Sequence, residues 1–245
     1  MGTGGHEAHV NRIRTAWVRA GAWVRYGPVA VTCLGQYPRR TYGRGVLGAA
    51  GIVDDALLFT GQRSHVWDAR LPLAAVRRVS LVTVRLRLGR RARALTVHGD
   101  TPDGWRVMTL IGPALADLGA ALAGACDLPL HDAGDGRDDF GPDRALRLLQ
   151  DIYGEWHADR AGTLYLAPDR LLFDWRAVTS LAALQRLDVY QMGWGKTLLR
   201  VTYAGADGVP QVEGFAVREA GRWAEALVRQ MDVPLEVHRG RKRKV

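Results

Sequence analysis

The stretch Gly162–Trp175, GTLYLAPDRLLFDW, reads as two short strands around a tight turn. Ala167-Pro168-Asp169 supplies the turn, since Pro presets a backbone dihedral and Asp bonds its own backbone. Leu164 and Leu166 then share one face of the first strand, and Leu171 and Phe173 one face of the second. An echo lies at Gly51–Phe59, GIVDDALLF, where an apolar pair, an Asp-containing turn and a Leu-Leu-Phe ending follow in the same order.

The echo continues downstream, as an internal duplication requires. Leu73-Ala74-Ala75-Val76-Arg77-Arg78-Val79 follows Phe59, and Leu181-Ala182-Ala183-Leu184-Gln185-Arg186-Leu187 follows Phe173. Strand-like alternation recurs at Leu95–Val97 and Leu199–Tyr203. A later strand recurs at Trp105–Ile111 and Gln211–Val217. Each series closes with a helical run ending in Asp127-Leu128-Pro129-Leu130 or Asp232-Val233-Pro234-Leu235. The competing explanation is that Leu/Ala/Arg-rich segments resemble one another by composition.

The pattern Gly162-x-Leu164-Tyr165-Leu166, turn, Arg170-Leu171-Leu172-Phe173 resembles the opening of a GRAM domain, a member of the pleckstrin-homology superfold. The terminal helix carrying Trp223 is similar to the helix that plugs one end of such a fold. The resemblance covers Gly162–Met231 well and Val29–Cys126 loosely. It implies an α+β protein with two bent antiparallel sheets, partly open barrels, each closed by a C-terminal helix. The superfold hosts lipid binders, peptide binders and structural modules, so it implies no single ligand. The hairpin that carries cations in headgroup-binding members holds Asp169 and Arg170 in one copy and Asp54 and Asp55 in the other.

The expected organisation is a basic amphipathic helix within residues 1–28, a first copy over 29–130, an acidic Gly/Asp linker over 131–142, a second copy over 143–235 and a basic tail over 236–245. Within this frame His9–Tyr26 reads as a helix with Val10, Ile13, Trp17 and Trp23 along one stripe. Such a helix lies on a membrane or packs on its own domain. Val29–Leu34 reads as the first strand. Pro113–Cys126 reads as a helix with Leu115, Leu118 and Leu122 on one face. Asp143–Tyr153 reads as a second-copy leading helix, with Leu146, Leu149 and Tyr153 aligned.

The chain has 245 residues, 47% of them apolar and 24% charged, an ordinary globular balance. Its net charge of +9 is uneven: residues 1–130 hold 17 arginines against 8 acids, while residues 131–245 hold 17 basic against 17 acidic residues. Such asymmetry suits a polyanion-binding face. It suits equally a composition that writes Arg wherever a cation is needed, and only Lys196, Lys242 and Lys244 are lysines. Cys33 and Cys126 sit in apolar contexts, as buried free thiols do. No secretory signal or span of about 20 apolar residues is found, which gives a cytoplasmic expectation.

The densest cationic patch is a hairpin. Val82, Val84, Leu86 and Leu88 take one face and Thr83, Arg85 and Arg87 the other, with a turn at Gly89-Arg90-Arg91-Ala92-Arg93 and Arg77 and Arg78 nearby in sequence. It reads as a phosphate-gripping surface or as the solvated face of an antiparallel sheet. Arg239, Arg241, Lys242, Arg243 and Lys244 form a second cationic group. The loop Gln36–Arg44 interleaves Tyr37 and Tyr42 with Arg39, Arg40 and Arg44, a pattern that grips phosphates or is plain surface. Trp194 and Lys196, in Gly193-Trp194-Gly195-Lys196-Thr197, mark a hairpin tip for a partner or interface contact. A nucleotide loop there is excluded by Tyr190 where the first glycine belongs and by a following strand.

No catalytic, metal or cofactor site is expected. Ser64, Ser80 and Ser180 lie outside any Gly-x-Ser-x-Gly, the histidines form no His-Glu-x-x-His, and the linker aspartates lack a calcium loop's closing Glu. The expected function is a non-catalytic adaptor at an anionic surface, the cytoplasmic membrane face. A protein–protein scaffold and non-specific nucleic-acid binding are the alternatives.

Overall fold

A computed structural model describes residues 3–62, 68–132, 140–151, 153–191, 197–231 and 233–239, with side chains from Glu7 to His238. The chain divides into two units, Met1–Arg137 and Asp138–Val245. The first contains α1 (Thr3–Arg19), β1 (Val24–Gly35), β2 (Val46–Val53), β3 (Ala56–Gly61), β4 (Asp68–Pro72), β5 (Val76–Arg85), β6 (Arg91–Thr101), β7 (Gly104–Ile111), α2 (Leu115–Ala125) and β8 (Leu130–Asp132). The second contains β9 (Phe140–Gln150), β10 (Trp156–Leu166), β11 (Arg170–Phe173), β12 (Arg176–Ser180), β13 (Leu184–Gln191), β14 (Thr197–Ala204), β15 (Pro210–Val217), α3 (Ala220–Gln230) and β16 (Leu235–Arg239).

The two units repeat one topology. The strand order is β4-β3-β2-β1-β7-β6-β5-β8 in the first and β12-β11-β10-β9-β15-β14-β13-β16 in the second. This is an α+β architecture dominated by two open eight-stranded sheets. The Gly162–Trp175 hairpin forms with Leu164 opposite Phe173 and Leu166 opposite Leu171, all four in the core. The Leu-Ala-Ala landmarks are matching 3-10 turns. The Leu73 amide donates to the Asp55 carbonyl (2.7 Å), and the Leu181 amide to the Asp169 carbonyl (2.8 Å). The sequence echo is therefore a structural one: the aspartate turn and the Leu-Ala-Ala turn are tied together in both units.

Leu115, Leu118 and Leu122 of α2 bury against Val79, Leu81, Leu95, Val97 and Leu110. In α3, Trp223 is fully buried, stands edge-on to Phe140 at 4.8 Å and donates Nε1–H to the Asp143 carboxylate at 3.0 Å. Neither helix ends its unit. β8 and β16 follow and pair parallel with β5 and β13, which departs from a purely antiparallel sheet closed by a helix.

Three boundaries differ from the sequence reading. α1 ends at Arg19, before Gly21 (φ +79), and β1 already begins at Val24, so Trp23 lies off the helix. Ile13 and Trp17 still pack as the stripe implies, against Ala49 and Val53. The stretch Asp143–Tyr153 is not a helix: Asp143–Gln150 belongs to β9, which is hydrogen-bonded on one side to β10 and on the other to β15. Two ladders satisfy its backbone where a helix would satisfy it internally, and tertiary pairing overrides the 3.6-residue spacing. The linker is shorter than 131–142, because His131 and Asp132 lie in β8 and Phe140–Pro142 in β9; residues 133–139 lie outside the described residues.

Candidate anion-binding site

The β5–β6 hairpin runs in register from Val79 opposite Val97, through Leu81 opposite Leu95 and Thr83 opposite Arg93, to Arg85 opposite Arg91. Val79, Leu81, Leu95 and Val97 face the core. Side chains two apart share a face, so Arg85, Arg91 and Arg93 continue the core face beyond the last core layer. Val82, Val84, Ala92 and Ala94 take the other face, and that face is covered. Tyr42, 4% exposed, packs on Val84 and Ala94 with Leu34, Leu86 and Ile111 around it. The grouping of Val82, Val84 and Leu86 opposite Thr83 and Arg85 holds, but the apolar face is covered by the loop after β1, while the main core lies on the side of Val79 and Leu81. Leu86 joins that layer and Leu88 does not.

The same contacts bring the two arginine-rich stretches together. The Tyr42 amide donates to the Arg85 carbonyl (2.9 Å) and the Arg87 amide to the Tyr42 carbonyl (3.0 Å), a parallel bridge at the hairpin's end. The Tyr42 hydroxyl meets Thr109 Oγ1 at 3.1 Å and accepts the Arg39 amide at 3.3 Å. Tyr37 is engaged by Arg106, whose guanidinium lies 4.9 Å from the ring centroid. Arg39, Arg40 and Arg44 are exposed on the loop.

The seven hairpin arginines do not form one patch. Arg77 bonds the Ala74 carbonyl (3.2 Å) and Arg78 bonds Ser80 Oγ (3.0 Å). Arg77 is eight residues from Arg85 on one strand, roughly 26 Å at about 3.3 Å per residue. Arg93 is taken by Asp132 of β8 at 2.6 Å. Arg85, Arg87, Arg90 and Arg91 are exposed, and among the described residues no carboxylate pairs with them. The turn lies two residues earlier than the sequence suggests. Arg87–Gly89 forms a 3-10 turn closed by the Leu86 amide on the Arg90 carbonyl (2.7 Å), and β6 starts at Arg91. Leu88, at the apex, has φ +62 and is 98% exposed. A left-handed backbone costs a non-glycine residue roughly 1–2 kcal/mol.

On the second unit's sheet, several arginines are paired with carboxylates. Asp188 of β13 is fully buried, yet Arg186 (2.9 Å), His238 (2.8 Å) and Arg200 (3.9 Å) converge on it, and Arg186 also holds Glu236 at 2.6 Å. Burial pushes the Asp188 carboxyl up. Hydrogen bonds from Arg186 and His238, with the Arg186 and Arg200 charges, outweigh it and hold its pKa below the ordinary value of 3.8. The His238 ring stacks on Tyr190 at 4.4 Å. Asp188, Glu236 and His238 also have the spacing of a metal triad, but the arginine pairs already occupy the carboxylates. Elsewhere Arg147 grips Glu213 with two bonds, 2.6 and 2.8 Å, and Tyr203 donates to Glu213 at 2.9 Å. Burial and the Glu213 charge push the Tyr203 hydroxyl up to about 12. Sequence reasoning missed this network, since Asp188, Arg200 and His238 are distant until the strand register aligns them.

The other expected residues fall elsewhere. Trp194, Lys196, Arg241, Lys242, Arg243 and Lys244 lie outside the described residues, and Arg239 closes β16 opposite Gln191. Cys33 and Cys126 are free thiols, and burial pushes Cys33 up to about 11. A groove of about 720 Å³ runs along α1 and β1, lined by Val10, Val31, Leu47, Ile111 and Pro113 among others. Its only titratable lining residue among those described is Glu7. No described helix is long and apolar enough to cross a membrane. No protein-family model matches the chain, and no curated protein matches it.

Proposed function

We propose that the chain is a non-catalytic adaptor whose first unit docks on an anionic surface, the cytoplasmic face of a membrane, and that both units are pleckstrin-homology-like. The shared order of four meandering strands, three more and a core-packed helix supports the fold reading. The gathering of Arg85, Arg87, Arg90 and Arg91 without a carboxylate partner carries the functional one. Arg39 and Arg44 add charge from the Tyr42 loop. A guanidinium meets a phosphate with two parallel bonds, which suits a headgroup better than an ammonium does. Each basic residue near such a surface contributes about 1 kcal/mol. The tail at Arg239–Lys244 adds to this sum.

Co-sedimentation of the full chain with neutral and anionic vesicles, at low and high salt and with a DNA duplex as competitor, tests this. The expected result is binding to anionic vesicles alone, weakened by salt and retained when the chain is cut before Arg239. Undetectable binding at low salt refutes the proposal. Equal displacement by duplex reduces the site to a general polyanion binder.

A further inference from the structure

The apex of the arginine hairpin carries a feature that charge alone does not explain. Leu88 is 98% exposed, the most exposed of the large apolar side chains described. Its backbone is left-handed, where Asn or Gly is the usual occupant of a turn. A Cβ added at the neighbouring Gly89 would meet nothing within 4 Å, so the apex stands clear of its own unit. Folding therefore gains nothing from a leucine at this position and would be served by Asn. The apex is also firmly based: the Leu86–Arg90 bond closes the turn and the two Tyr42 bonds brace its flank. Arg85, Arg87, Arg90 and Arg91 surround it in sequence on both sides.

We propose that Leu88 is a membrane anchor, entering the acyl boundary of an anionic bilayer while the four arginines bind headgroup phosphates. This rests on the anionic-surface reading and deepens it. An apolar tip inside a cationic collar matches the layering of an anionic leaflet, with phosphates outside and hydrocarbon beneath. The long arginine stems let the guanidinium groups stay at phosphate depth as the tip descends. A duplex offers the collar its phosphates and offers Leu88 no comparable apolar layer, so the bilayer is the partner that uses both features.

The test uses the full chain with phosphatidylcholine vesicles containing phosphatidylserine. Leu88→Asn keeps a residue that tolerates positive φ, so the hairpin is retained. Its vesicle affinity should fall about tenfold, as expected for losing one partly buried leucine, with duplex affinity unchanged. Leu88→Trp should give an added emission component that is quenched by lipids brominated near the headgroup end of the acyl chain. If Leu88→Asn binds vesicles as the parent does and Leu88→Trp escapes quenching, insertion is refuted while salt-sensitive docking stands. If Leu88→Asn loses duplex and vesicle affinity alike, the anchor is refuted in favour of a general polyanion grip. If the parent chain binds no anionic vesicle, both readings fall.

Discussion

The two units build the same sheet and spend their charge in opposite ways. Ser80 and Asp188 occupy matching positions, each two residues after an arginine, Arg78 or Arg186. Across the ladder Ser80 faces Thr96 and His131, whereas Asp188 faces Arg200 and Glu236. One neutral hydroxyl in the first unit is thus replaced by a buried carboxylate that draws two arginines and a histidine onto the sheet. The first unit lacks that sink, and its hairpin arginines beyond Arg93 stand outward. The same topology therefore yields one unit whose strand arginines converge on a buried carboxylate and one with four arginines clustered at a hairpin end.

The largest expected effect is on the sink. Asp188→Asn leaves Arg186 and Arg200 without their shared counter-charge. Both keep part of their surface in water, which discounts the full cost of a broken buried pair to about 2–4 kcal/mol. Hydrogen exchange should show weakened protection in β13, β14 and β16, while Ser80→Ala leaves β5 and β6 within about 1 kcal/mol of the parent. Equal effects would erase the contrast. Acid sharpens the same point. Because the folded carboxyl of Asp188 lies below 3.8, its stabilisation is whole above that value and is lost as pH falls through the folded pKa. Protection of β13 and β14 in the parent should decline there, and in Asp188→Asn this step should be missing.

A smaller effect concerns the loop that braces the cationic hairpin. Tyr42→Ala opens the outer apolar layer and should cost about 3 kcal/mol, with weakened vesicle binding because the hairpin loses its flank. Tyr42→Phe keeps the ring and loses the hydroxyl contacts, those with Thr109 and the Arg39 amide among them, about 1 kcal/mol, and should bind vesicles normally. Weak binding by the phenylalanine variant would mean that the hydroxyl, rather than the brace, serves the surface.

Much of this was legible in the sequence. The Gly162–Trp175 hairpin, the Leu-Ala-Ala landmarks and the Leu115/Leu118/Leu122 face read correctly because local turn chemistry and periodicity agree there with the fold. β9 did not, since Leu146, Leu149 and Tyr153 mimic a helical stripe. A correcting signal was present in the repeat. Gly27-Pro28 and Gly141-Pro142 are matching positions, where an added Cβ would come 3.0 Å from the Ala50 or the Leu164 carbonyl. Counting on from them aligns Val29–Leu34, read as a strand, with Asp143–Leu148. Which face of β5 meets the main core had no local signal, because Leu81 and Val82 are both apolar and the cover over Val82 and Val84 comes from the distant Tyr42. Of the arginine cluster, density was visible and pairing was not: removing Arg93, Arg77 and Arg78 from it requires Asp132, the Ala74 carbonyl and Ser80 in three dimensions.

Binding depends on the arginines of the hairpin and not on the net charge of the chain. Two full-length variants of equal charge test this. One replaces Arg85, Arg87, Arg90 and Arg91 with Gln; the other replaces Arg144, Arg176, Arg218 and Arg229, which are exposed in the second unit. Each takes the net charge from +9 to +5. Partition onto anionic vesicles at fixed salt should fall about fivefold per hairpin arginine removed, from the ~1 kcal/mol each contributes, and should change little in the second-unit variant. Equal losses in the two variants would contradict the account and leave net charge as the whole explanation.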